Sequence, residues 1–348
     1  MKALLFVLTI LFYFYCLPAS SQNISNIQLK IDSFEKELDF SGVVLIAKGD
    51  KILLHKGYGF TDKKKGIKKD ENTAFQIASV TKAFTGLAIM KLAEQGKLSL
   101  QDFISKYFPN VPTSGTGITI HQLLIHQSGL PQKYKAVGNY NPEDAVKAIF
   151  KGKLEAMPGS KFIYSNDNYT LLALIIEKVA GKKWEEHIRE TILKPLHMNQ
   201  TYFWADQNNT GLSEAESKRR KQKRDRDYGF LGATGIFSTA ADLQKFLIGI
   251  NSGRILSDTS TSILLGKYIK LKSIFPNSTD HYAYGLFKTE GDTNSFWARG
   301  NEGDWGASIA YYFPKTDISV IVLSDKYSLS NGEKQHVYVS TAIINSLK

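Results

Sequence analysis

The sequence predicts an α+β fold: one antiparallel β-sheet assembled from both chain ends and flanked by helices, with an all-helical lobe inserted between its halves. Three observations carry this. Strand patterns occupy the two ends, helical periodicity and loops fill about 97–250, and strands and helices do not alternate as a doubly wound sheet requires. The 348 residues are 43% hydrophobic and 22% charged. That composition supports a substantial core and excludes a disordered chain, a collagen-like repeat or a coiled coil.

At the start, Met1-Lys2, an apolar run from Ala3 to Leu17 and then Pro18-Ala19-Ser20-Ser21-Gln22 form the pattern of a secretory signal peptide over 1–21. Cleavage is expected after Ser21, leaving 22–348 as the mature domain, periplasmic or secreted. An uncleaved anchor is the alternative, but a run of about 15 residues is short of the ~20 that a span needs. Cys16 is the sole cysteine. Cleavage therefore leaves no thiol, which excludes a disulfide framework and Cys-based metal sites.

Ile27, Ile31, Phe34 and Leu38 recur at helical spacing, predicting a helix over 27–40. Gly42–Ala47, a Gly49-Asp50 turn and Lys51–Lys56 predict a β-hairpin. Lys63, Lys64, Lys65, Lys68 and Lys69 read as a solvated loop. Val80, Ala83, Phe84, Leu87, Ala88 and Leu92 predict a helix over 79–95, stopped by Gly96. The middle, about 97–250, reads as a helical lobe with buried helices over 171–180 and 240–250. Strand patterns return at 282–288, 308–313 and 318–323, and a helix over 333–347 closes the chain.

Ser79-Val80-Thr81-Lys82 is an S-x-x-K motif. Serine is a weak nucleophile until a base takes its proton, and positions i and i+3 share a helix face, so Lys82 can reach the Ser79 hydroxyl. The positive end of the helix dipole disfavours an ammonium there, and the backbone N–H groups of the first turn can face a developing oxyanion. The plainer alternative is a helix cap beside a solvated lysine. Ser33-Phe34-Glu35-Lys36 satisfies the same pattern inside an ordinary amphipathic helix, whereas Ser79 opens a long apolar one. Tyr164-Ser165-Asn166 lies before the buried helix. Its phenol could shuttle protons and its asparagine could bind a substrate amide; a core tyrosine with an Asn cap is the alternative.

The segment Phe75-Gln-Ile-Ala-Ser79-Val-Thr-Lys82-Ala-Phe resembles the nucleophile region of the serine β-lactamase-related family, which holds class C β-lactamases, D-alanyl-D-alanine carboxypeptidases and class VIII esterases. His126-Gln-Ser128-Gly129-Leu130, Pro158–Asn166 and Leu231–Leu243 are similar to further segments of that family, in its order, over about residues 30–330. The resemblance implies Ser79 as nucleophile, Lys82 as its base partner, Tyr164 as acid/base and Asn166 as a hydrogen-bonder of the substrate amide or a catalytic side chain. It implies no metal and no organic cofactor. The expected activity is acyl-enzyme hydrolysis of an amide, peptide, ester or lactam in a small-molecule or peptide substrate. The alternative is a penicillin-binding-like or ligand-capturing member without turnover.

The family's third motif, a lysine or histidine followed by a small residue and glycine, is altered to Trp297-Ala298-Arg299-Gly300-Asn301-Glu302-Gly303-Asp304-Trp305-Gly306. One alignment puts Gly300 at the cationic position; the other lets Arg299 serve as a substrate-binding cation. His121 and His126 could be imagined in a Ser-His-Asp triad, but packed structural histidines are the plainer reading. Their spacing also misses the i, i+4 geometry of a helical metal pair. A net charge of +11 admits anionic partners. Lys218, Arg219, Arg220 and Lys221 could touch an anionic surface, but without interleaved aromatics no nucleic-acid role is expected, and a solvated loop is the alternative.

Overall fold

The computed structural model describes residues 19–132, 135–204, 206, 226–301 and 306–347. Most of the expected signal peptide, the basic positions Lys218, Arg219, Arg220 and Lys221, and residues 302–305 of the altered motif lie outside the described residues.

The chain opens with α1 (Ala19–Leu38), then β1 (Gly42–Lys48), β2 (Lys51–Tyr58), the short pair β3 (Phe60–Asp62) and β4 (Ile67–Lys68), and β5 (Phe75–Gln76). After α2 (Thr81–Glu94) come α3 (Thr113–Thr116), α4 (Ile120–Leu124), α5 (Pro142–Ile149), α6 (Asn166–Ala180), α7 (Trp184–Ile188) and the short strands β6 (Tyr202–Phe203) and β7 (Ile236–Ser238). The rest is α8 (Ala240–Asn251), α9 (Asp258–Leu264), β8 (Ile269–Lys272), β9 (Ser278–Tyr282), β10 (Phe287–Gly291), β11 (Ser295–Asn301), β12 (Ala307–Phe313), β13 (Ile318–Ser324) and α10 (Gln335–Leu347).

Eight strands form the main sheet in the order β2-β1-β13-β12-β11-β10-β9-β8, every pairing antiparallel. The two chain ends meet at its centre-left, where β1 pairs with β13 from Gly42↔Ser324 to Lys48↔Ile318. Those central strands read as continuous apolar runs because both faces are covered. Val43, Leu45, Ile321 and Leu323 face a core shared with Phe84 and Leu87 of α2. Val44, Ile46, Val320 and Val322 face the opposite core, built with Ile27 and Ile31 of α1 and Val339 and Ile343 of α10. Full burial of each such side chain contributes about 1.5–3 kcal/mol.

Three sequence expectations change. The region 282–288 is not one strand but the turn between β9 and β10: Gly285 has φ +79°, and a Cβ there would sit 2.3 Å from the Lys82 carbonyl oxygen. The expected helical lobe ends before 240, because α8 packs on the main sheet, with Gln244 Nε2 donating to the Gly49 carbonyl at 2.8 Å and Asn251 Nδ2 to Tyr312 Oη at 3.1 Å. Lys69 is not solvated. Its ammonium is buried 3.0 Å from Asp325 Oδ2 and donates to Ser41 Oγ at 2.8 Å.

Candidate active site

The Ser79 turn follows directly from β5. Ala78 adopts φ +46°, and Ala78–Val80 form one 3₁₀ turn before α2 begins. Three strands grip this turn. Ile77 N–H donates to the Ile236 carbonyl of β7 at 3.0 Å, and Ser308 Oγ of β12 donates to the Ile77 carbonyl at 2.7 Å. On β11, a Cβ at Gly300 would lie 2.2 Å from Ile77 O and 2.6 Å from Ser79 N. Glycine is required there because the strand backbone itself lies against the serine turn.

Lys82 lies one turn along, with only 1% of its surface exposed. Its Nζ donates to Ser79 Oγ at 3.0 Å, to Asn166 Oδ1 at 2.6 Å and to the Ala233 carbonyl at 3.1 Å. One amino group is thus held among three oxygens from three parts of the chain. The Tyr164 ring centroid is 5.0 Å from the same Nζ, on the stretch leading into α6. Ser79, Lys82, Tyr164 and Asn166, drawn from segments far apart in sequence, are therefore brought together. Ser79 is half-buried and within proton-transfer distance of an amine.

Arg299 is not brought into this group. Residues alternate across a strand, so Arg299 shares the face of Trp297, not that of Gly300. Its guanidinium lies 5.8 Å and 5.9 Å from the Phe287 and Trp297 rings, over the core on the α1 and α10 side. Gly300 is the position that meets the serine turn, and Arg299, weighed as the substituted cation, stands on the other face of the strand. Ser33 also stays apart, its hydroxyl donating to the Lys30 carbonyl of its own helix at 2.9 Å.

Neither histidine joins a triad with Ser79. His121 Nδ1 pairs with Tyr284 Oη at 2.7 Å. His126 is fully buried, with Nε2 3.0 Å from Tyr282 Oη and Nδ1 accepting from the Ser165 N–H at 3.2 Å. Burial, then the charge of Lys82, hold its pKa well below the usual histidine value. Sequence reasoning missed the Ala233 carbonyl, the Ser308 clamp and the contact of Gly300 with Ser79. The first lies in the recognised 231–243 segment, but a backbone partner leaves no side-chain signature. Among the described residues no cluster of His, Cys, Asp and Glu is arranged to hold a metal, and no described helix is long and apolar enough to cross a membrane.

A family model described as Beta-lactamase matches residues 30–339. The chain belongs to the β-lactamase family. It is 33% identical over 324 residues to a teichoic acid D-alanine hydrolase of Staphylococcus aureus, covering 89% of this chain and 76% of the relative. Among solved structures, an octameric penicillin-binding protein homologue from Pyrococcus abyssi superposes with TM-score 0.79 at 28% identity, over 93% of this chain and 77% of that one. FmtA from Staphylococcus aureus gives 0.73 at 29%, over 93% and 88%. The fold is thus that of the penicillin-binding and β-lactamase proteins, and this member of the family is a serine hydrolase.

Proposed function

We propose that this β-lactamase-family hydrolase removes D-alanyl groups from esters carried on an anionic polymer outside the cytoplasm. The Ser79 hydroxyl adds to the ester carbonyl as Lys82, in its neutral amine form, takes the proton. Tyr164 gives a proton to the departing alkoxide, leaving a D-alanyl ester on Ser79. Water then attacks, its proton passing to Tyr164, while the Ser79 oxygen takes back the proton held by Lys82 and free D-alanine departs. Asn166 holds the Lys82 amine in register through Oδ1.

The observation that carries the choice of substrate is the placement of Arg299 away from Ser79, with Gly300 in its stead. A β-lactam or a C-terminal peptide brings a free carboxylate that a cation on this strand would hold; in a D-alanyl ester the carboxyl is itself the reacting group. The D-alanine hydrolase relative agrees with this substrate class. The +11 charge favours encounter with a polyanion, to which the 218–221 run would contribute, and the pattern over 1–21 supports export.

The test measures D-alanine release from a D-alanylated polymer, hydrolysis of an acyl-D-Ala-D-Ala peptide, and hydrolysis of a penicillin, each with wild-type and Ser79→Ala protein. Ester hydrolysis should exceed the other two by about 10²-fold or more, reflecting a carboxylate left without its partner. Equal or faster turnover of the peptide or the penicillin would remove the ester assignment. Acylation of Ser79 without release of D-alanine would make the protein a penicillin-binding-like capture protein.

A further inference from the structure

His126 holds three successive residues of the tyrosine segment. Its φ of +58° lies in the left-handed region, which histidine tolerates better than most residues. In that conformation its carbonyl oxygen accepts from the Ile163 N–H at 2.8 Å. Its ring lies 4.2 Å from the Tyr164 ring, centroid to centroid, inclined by 36°. Its Nδ1 accepts from the Ser165 N–H at 3.2 Å. Residues 161–165 have no helix or strand of their own, so these contacts help define where the phenol sits.

The donors also settle where the ring proton is. A backbone N–H can only donate, so Nδ1 presents its lone pair. The Asn168 amide donates to the same nitrogen at 3.0 Å, since its Oδ1 accepts from the Ser128 hydroxyl at 2.6 Å. The proton is therefore on Nε2 and is donated to Tyr282 Oη. Tyr282 Oη lies 3.4 Å from Tyr169 Oη, which donates to the Leu124 carbonyl at 2.8 Å. A cationic ring here would carry an N–H at Nδ1 that faces the Ser165 and Asn168 donors with no acceptor between them. Neutrality is built in.

We propose that His126 is a positioning residue, a neutral Nε2–H imidazole platform that sets the Tyr164 phenol against Lys82. The inference rests on the acyl-enzyme reading, in which Tyr164 carries protons in both half-reactions. A displacement of about 1 Å in such a group can cost ~10²-fold in rate, so a phenol on an irregular segment needs a fixed support.

His126→Asn is the first test, because asparagine tolerates positive φ and its Oδ1 can still accept from Ser165, while the ring is lost. Turnover of the ester should fall about 10²-fold with KM moved less than about threefold, and Ser79 should still be labelled by a fluorophosphonate. Placed on Tyr164→Phe, the same change should cost nothing further, because its route of action is already gone. Wild-type turnover in His126→Asn, or losses that multiply in the double variant, would overturn the proposal. Wild-type turnover in Tyr164→Phe would instead overturn the reading beneath it. Nitrogen NMR of the native protein decides independently of any variant's folding. His126 should keep the Nε2–H form across about pH 5 to 8, and a titrating or Nδ1–H ring would overturn the assignment.

Discussion

Ser79 and Lys82 differ from the matching pair at Ser33 and Lys36 in what surrounds them. Ser33 bonds to its own helix, whereas Ser79 receives an N–H from a buried amino group. Ser79→Ala should therefore lower turnover by ~10³-fold or more, and Ser33→Ala should leave it unchanged; progress curves on the ester check both. Tyr164→Phe keeps the ring on His126 and deletes one oxygen. It should lower kcat by ~10²–10⁴-fold and let an acyl-enzyme accumulate, visible by intact mass. Gly300→Ala places a methyl against Ile77 O and Ser79 N and should abolish labelling of the serine by a fluorophosphonate. Arg299→Ala should slow substrates with and without a carboxylate equally; selective weakening of the carboxylate-bearing ones would return Arg299 to the site.

Between elements, the ion pair of Lys69 and Asp325 ties the stretch after β4 to the end of β13, with side chains 1% and 7% exposed. A buried pair is costly to assemble and more costly to break from one side. Asp325→Ala should lower the unfolding free energy by about 3–5 kcal/mol, read from denaturant midpoints, while Lys69→Met with Asp325→Leu should recover much of it. This pair also marks a limit of sequence reading. Five lysines within seven positions look like a solvated loop, and only the tertiary position of Asp325 singles out Lys69. The β1–β2 hairpin and the 171–180 helix were legible because long, nearly unbroken apolar runs are bounded by glycine turns at Gly49 and Gly181. Strand β11 was less so: Gly300 and Asn301 are poor strand formers, and which of its faces meets Ser79 depends on sheet register. The four gathered residues could be nominated from spacing and resemblance, whereas the Ala233 and Ser308 contacts could not, because a backbone carbonyl partner has no code in the sequence.

Across the whole molecule, buried histidines make stability depend on pH. His336 is 2% exposed and faces the charges of Arg299 and Lys334; burial first, then those charges, hold its pKa down to about 3. The unfolded chain takes up a proton near pH 6.5 that the folded form refuses, so stability is lost as pH falls from about 6.5 toward 3. Between pH 7 and 5 that amounts to about 2 kcal/mol from this residue. His126 acts in the same direction. Urea unfolding at pH 7 and pH 5 should show the drop, and His336→Leu should shrink it by about that amount. An unchanged pH dependence in His336→Leu would place the acid sensitivity elsewhere.

The meeting of β1 and β13 bears on the order in which the protein can come into being. Lys48 is among the early residues to leave a ribosome and its partner Ile318 among the late ones. The first hairpin must wait as an open edge, and Ser79 cannot be clamped by β11 and β12 until Gly300 and Ser308 have been made. Contacts so distant in sequence form slowly, and chains cut short before β13 have no partner for β1. Activity is thus withheld from the nascent polypeptide until β11, β12 and β13 have been made.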